Sequence, residues 1–175
     1  MKQTNKITDQ IQEKRKKCYI QARSFFLAAK RCGGEELCPE SGTHQILPIP
    51  ECVNIAFSCE LYLKSLLYKD NKRIEGHGLA YLFSELDVTL RNRVSEISKI
   101  DEAEIKNLLE QHSNLFQNMR YRFEYKQYSK SYSMPIQFFY RLVESLDELA
   151  QEIIGVEPTP STNADTYIHE LFLDL

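Results

Sequence analysis

Twenty residues in a row, Pro50 to Lys69, have almost no polar side: Val53, Ile55, Ala56, Phe57, Cys59, Leu61, Tyr62, Leu63, Leu66 and Leu67 fall on every face of a helix. A helix apolar nearly all round has to be covered on several sides, so the rest of the chain is expected to wrap this one. Pro50 suits the first helical position, where its missing N–H is no handicap. Glu51 places a negative charge where the helix dipole favours one. Glu60 and Lys64 stand four residues apart in the favourable order for a helical ion pair. A carboxylate among so many apolar neighbours must find a partner or change its protonation. Glu60 is therefore half of a structural ion pair or part of a site, and the pair is the simpler expectation.

Apolar residues recur at helical spacing elsewhere. Ile11, Cys18, Ala22, Phe25 and Ala29 mark a first helix from about Thr8 to Cys32, ended by Gly33 and Gly34. Its other side carries Lys14, Arg15, Lys16 and Lys17, a run that is either a solvated face or a contact for a phosphate backbone. The proline-rich connection 33–50 reads as a long loop, either a packed connector or a lid or partner-binding segment. Leu79, Leu82, Phe83, Leu86 and Leu90 mark a third helix, with His77 just before it. Asp101 and Glu104 resemble a capping box opening a fourth, whose stripe is Ile105, Leu108, Leu109, His112, Leu115, Phe116, Met119 and Phe123. Pro135 and Gly155 bracket a fifth, with Phe139, Val143, Leu146, Leu149 and Ile153 on one face. No segment alternates with period two for long. The expected fold is all-α: one bundle of about five helices over 1–155, followed by a polar linker and short amphipathic tail over 156–175.

A chain of 175 residues with 42% apolar and 27% charged residues has the profile of a single globular domain. Its net charge of −3 gives no global attraction to nucleic acid, so any such contact must be local. The start, with Lys2, Gln3, Asn5 and Lys6, has no apolar leader, and no later run reaches the ~18 apolar residues of a membrane span. A cytoplasmic protein without a membrane partner is expected. The five cysteines are an odd number and are expected as free thiols. Cys32, Cys38, His44 and Cys52 share one region but lack the close pairing of a zinc site, and no metal is expected. No glycine-rich phosphate loop or nucleophile elbow is present, and no cofactor is expected.

The densest functional signal is Arg120 to Tyr132. Tyr121, Tyr125, Tyr128 and Tyr132 are spaced four, three and four, with Arg120, Arg122, Lys126 and Lys130 between them against Glu124 alone. On a helix the rings share a face. Rings that stack and cations that meet phosphates are what single-stranded nucleic acid needs, and tyrosines packing on a neighbouring helix are the plainer alternative. Arg120, close to the buried face, is the expected partner for Glu60.

Three pieces together resemble the HEPN superfamily of prokaryotic helical domains: Cys59-Glu60-Leu61-Tyr62-Leu63-Lys64 on the central helix, Gly76-His77-Gly78-Leu79 before the next, and His112-Ser113-Asn114-Leu115-Phe116 leading to Arg120-Tyr121-Arg122-Phe123-Glu124. The resemblance covers about Arg23 to Ile154. It implies a helical bundle, often dimeric, in a family that includes RNA-cleaving toxins, phage-defence effectors, nucleotide-binding members and non-catalytic partners. The family's ribonucleases place an arginine and a histidine with four to six residues between them on a late helix. None of His44, His77, His112 and His169 satisfies that spacing; the nearest, His77 after Arg73, has three residues between and is expected in the loop before the third helix, so the usual proton-transfer group is missing.

The expectation is a non-catalytic binding module, a homodimer or partner subunit that contacts RNA, a nucleotide or a protein through Arg120, Tyr121, Arg122, Tyr125, Lys126, Tyr128, Lys130 and Tyr132. The rival is a divergent endoribonuclease with Arg120 and Glu124, joined by His77 or His112. A structural interaction protein of a defence or toxin–antitoxin system is the third.

Overall fold

The computed structural model describes residues 2–38, 41–45, 47–68, 75–113, 116, 119 and 134–156, and within them the side chains of all but 2–7, 36–38 and 45. The chain runs α1 (Lys2–Cys32), β1 (Glu36–Cys38), β2 (Thr43–Gln45), α2 (Pro48–Leu67), α3 (Leu79–Glu85), α4 (Val88–Ser98), α5 (Glu102–Gln111) and α6 (Ile136–Ile154). It is an all-α bundle with one small hairpin.

Helix α2 is the centre, as its all-round apolarity requires. Ten of its 20 residues are buried, and α1, α6 and α3 pack against it. Tyr62, Ile55, Leu63 and Leu66 are fully enclosed, and sequestering each such side chain from water contributes about 1.5–3 kcal/mol. The α1 face is Tyr19, Ala22, Phe26 and Ala29, all buried. Two alanines let the helices approach closely enough for the Ser58 hydroxyl on α2 to donate to the Ala22 carbonyl at 2.8 Å. Ile11, counted in the expected stripe, is only half-buried.

Several boundaries differ from the sequence reading. Helix α2 starts two residues early, with Pro48 in the first turn. The 33–50 connection contains a hairpin, pairing Glu36 with Gln45, Leu37 with His44 and Cys38 with Thr43. Three residues per strand are too few for alternation to show. The stripe from Leu79 to Leu90 is two helices, because Asp87 takes an extended conformation and its side chain caps α4 by accepting from the Leu90 N–H at 3.0 Å. Arg91 secures that corner by donating to the carbonyls of Ser84 and Leu86.

Asp101 caps α5 as expected, accepting from the Ala103 N–H at 2.8 Å. That helix stops at Gln111 instead of running on to Phe123, since His112 leaves helical geometry at φ −120°. Phe116 still reaches the core, stacked on Phe57 with centroids 4.8 Å apart, and Met119 is buried. Helix α6 begins after Pro135 and ends at Gly155 in the left-handed region, φ 68°, as the proline and glycine imply. The tail from Glu157 lies outside the described residues. Among the described residues no helix is long and apolar enough to cross a membrane.

Candidate functional site

Near the C-terminal end of α2 the bundle encloses a carboxylate. Glu60 is 1% exposed. Its Oε1 accepts from the Lys64 ammonium at 2.8 Å, the expected i,i+4 pair, and lies 2.8 Å from His77 Nδ1. Lys64 is itself mostly buried, whereas the His77 side chain is 65% exposed. With Glu60 ionised, the short contact puts the ring proton on Nδ1 and turns Nε2 toward solvent. Glu60 Oε2 is buried too, and among the described residues no hydrogen-bond donor meets it.

The segment carrying His77 is shaped by its two flanking glycines. Gly76 has φ 93°, a conformation that costs a residue with a Cβ. A Cβ on Gly78 would stand 3.0 Å from the Ser113 hydroxyl oxygen. The Leu79 N–H donates to the Ser113 carbonyl at 3.3 Å, so the residue after His112 holds the start of α3. Glycine on both sides gives the segment its left-handed turn at Gly76 and its close approach to Ser113 at Gly78, while the imidazole between them reaches the carboxylate on α2.

On the α1 side, the Cys18 thiol donates to the Leu61 carbonyl at 3.2 Å, and Arg15 Nε donates to the Ser65 carbonyl at 3.2 Å. The arginine thus answers one of the carbonyls left open at the end of α2. Burial, opposed by Lys64 and reinforced by Glu60, pushes the Cys18 thiol up to about 11. Burial, reinforced by Glu60, pushes Cys59 higher still. Both are protonated at neutral pH and are packing groups, not nucleophiles.

His112, on the expected apolar face, lies at the end of α5 with its ring edge-on to Phe139, centroids 6.0 Å apart. Burial lowers its pKa. A second polar cluster ties three helices: Asp147 on α6 accepts from Arg23 on α1 at 2.9 Å and from the Tyr62 hydroxyl on α2 at 2.8 Å. Burial, then the Asp147 charge, push the Tyr19 hydroxyl up to about 12. Nothing in the spacing of Arg23, Tyr62 and Asp147 signals this cluster, because its members are joined only by the fold.

Of the expected site residues, Glu60 and His77 are brought together and His112 is placed on an adjoining segment. Arg120, Tyr121, Arg122, Glu124, Tyr125, Lys126, Tyr128, Lys130 and Tyr132 lie outside the described residues, and with them the expected Glu60–Arg120 pair. The pairing of Glu60 with His77 was missed by sequence reasoning. Among the described residues no group of three His, Cys, Asp or Glu side chains could hold a metal ion. His44 stands 3.7 Å from Glu35, and the Cys38 side chain lies outside the description. Comparison with family models, with curated proteins and with solved structures finds no match to this chain.

Proposed function

We propose that the chain is a HEPN-like helical module that binds RNA, with the Glu60–His77–Lys64 end of α2 as one part of its ligand face and Arg120 to Tyr132 as another. It would work in the cytoplasm as a homodimer or beside a protein partner, in a phage-defence or toxin–antitoxin setting. The observation that carries this reading is the exposed imidazole held by a buried carboxylate. An orienting carboxylate fixes the ring, so Nε2 is placed to meet a phosphate oxygen or a ribose hydroxyl.

Cleavage of the bound RNA is the second reading, and the same pair favours it. A histidine oriented through Nδ1 by a carboxylate is the arrangement a general acid or base needs. Incubation of the full chain with labelled single-stranded RNA and with total transfer RNA separates the two, with His77→Ala and Arg120→Ala beside it. Retardation without cleavage, weakened in His77→Ala, supports the binding module. Cleavage lost in His77→Ala moves the assignment to a ribonuclease. Neither retardation nor cleavage overturns both.

A further inference from the structure

Helix α3 turns Leu79, Leu82 and Phe83 into the core. Tyr81 falls on its other side and is 51% exposed. Among the described residues it is the one exposed aromatic ring, since every other phenylalanine and tyrosine there is buried or half-buried. A single exposed apolar side chain is ordinary on a protein surface, so the exposure matters less than the place.

That place is the short segment carrying His77. Tyr81 lies against the residues on both sides of the histidine. Its ring atoms Cδ1 and Cε1 are each 3.4 Å from where a Cβ on Gly76 would stand, and its own Cβ is 3.8 Å from the corresponding point on Gly78. The backbone beneath it is fixed at two points. The Leu79 N–H donates to the Ser113 carbonyl at 3.3 Å, and the Tyr81 carbonyl accepts from the Ser84 hydroxyl at 2.7 Å. A phenol ring and an imidazole that is 65% exposed are therefore presented together from a held backbone. Groups fixed in advance lose little freedom when a ligand arrives.

The two rings offer complementary chemistry. His77 is engaged at Nδ1 by Glu60, which leaves Nε2 for a phosphate oxygen or a ribose hydroxyl. Tyr81 offers a π face, on which any base can stack once it is free of its own neighbours. Bases are free in that way in single strands, loops and bulges, whereas a duplex keeps them stacked on one another. We infer that Tyr81 is a stacking platform for an unpaired base of the RNA whose backbone meets His77. The inference rests on the RNA-binding reading and narrows its ligand to RNA with exposed bases.

The test measures affinity of the full chain for a labelled single-stranded RNA across a salt series, for the wild type, Tyr81→Phe and Tyr81→Leu. Leucine keeps helix propensity and apolar bulk beside Gly76 while removing the flat face, so the variant is expected to fold. Tyr81→Leu should bind at least about five-fold more weakly, the lower end of what one base–aromatic stack contributes. Tyr81→Phe keeps the ring and should stay within about two-fold of the wild type. The log–log salt slope should be the same in all three proteins, because no phosphate contact is removed. A smaller loss in Tyr81→Leu, an equal loss in Tyr81→Phe, or a flattened slope in Tyr81→Leu each overturns the stacking role and leaves the RNA-binding reading standing. A wild type that retains no RNA overturns both.

Discussion

His77 Nδ1 lies 2.8 Å from Glu60 Oε1, an exposed imidazole on a carboxylate that the core encloses. The two residues are 17 apart in sequence and belong to different elements. Their contact fastens the segment before α3 onto α2 and gives Glu60 a second donor beside Lys64.

Removing His77 leaves that buried carboxylate with Lys64 as its one donor among the described residues. His77→Ala should lower stability by about 1–3 kcal/mol, the cost of an under-satisfied buried acceptor. Replacing the carboxylate together with the imidazole removes the need for the donor. The Glu60→Leu, His77→Ala double variant should therefore lose less than the two single losses added together. Urea unfolding of the four proteins closes the cycle, and simple additivity would show that the two groups do not interact.

The parts of this fold that were legible are those set by local chemistry. The all-round apolar run gave α2 its central place, Asp101 marked the start of α5, and Pro135 with Gly155 bracketed α6. Where the reading erred, a competing local feature intervened. Asp87 splits an unbroken apolar stripe by capping α4, and three-residue strands leave no alternation to read. At the candidate site, Glu60 and Lys64 were legible as a helical pair. The His77 contact was not, because it joins two elements 17 residues apart that only the fold brings together. The Arg23–Asp147–Tyr62 cluster was hidden for the same reason: its members share a place and no pattern.

His112 gives the stability a pH dependence with a defined sign. Burial lowers its pKa in the folded chain below the model-peptide value of 6.5. The unfolded chain then binds the proton more tightly, so this group's contribution is complete above about pH 6.5 and is lost as pH falls toward the folded-state value. His112→Phe keeps a ring against Phe139 and removes the titration. Melting temperatures measured between about pH 5 and 7.5 should fall less on acidification in the variant than in the wild type. Parallel curves would assign the acid sensitivity to other groups.

Asp147 accepts from both Arg23 and Tyr62, and both donors are largely enclosed. Asp147→Ala strands a guanidinium and a phenol together and should cost about 3–5 kcal/mol. Asp147→Asn keeps one acceptor and should cost less. Tyr62→Phe removes a single donor from a carboxylate that retains Arg23, with an expected loss of about 1 kcal/mol. Chemical denaturation gives the order. A Tyr62→Phe loss as large as that of Asp147→Ala would mean that the Tyr62 hydroxyl, not the Arg23 ion pair, accounts for the contribution of the cluster.

Gly33 follows α1 at a close approach to α2. A Cβ there would collide with the Glu51 carboxylate and stand 3.1 Å from the Tyr140 hydroxyl oxygen. That hydroxyl donates to Glu51 Oε1 at 2.8 Å. The colliding atom is the tip of a flexible side chain, so Gly33→Ala should displace the carboxylate without moving the helices. The displaced carboxylate surrenders the tyrosine bond, a loss of about 1 kcal/mol. In a Glu51→Ala background the obstacle and the bond are already gone. There Gly33→Ala should be neutral or slightly stabilising, since alanine narrows the unfolded ensemble. Equal losses in the two backgrounds, read from urea midpoints, would place the conflict in the backbone instead of at the Glu51 carboxylate.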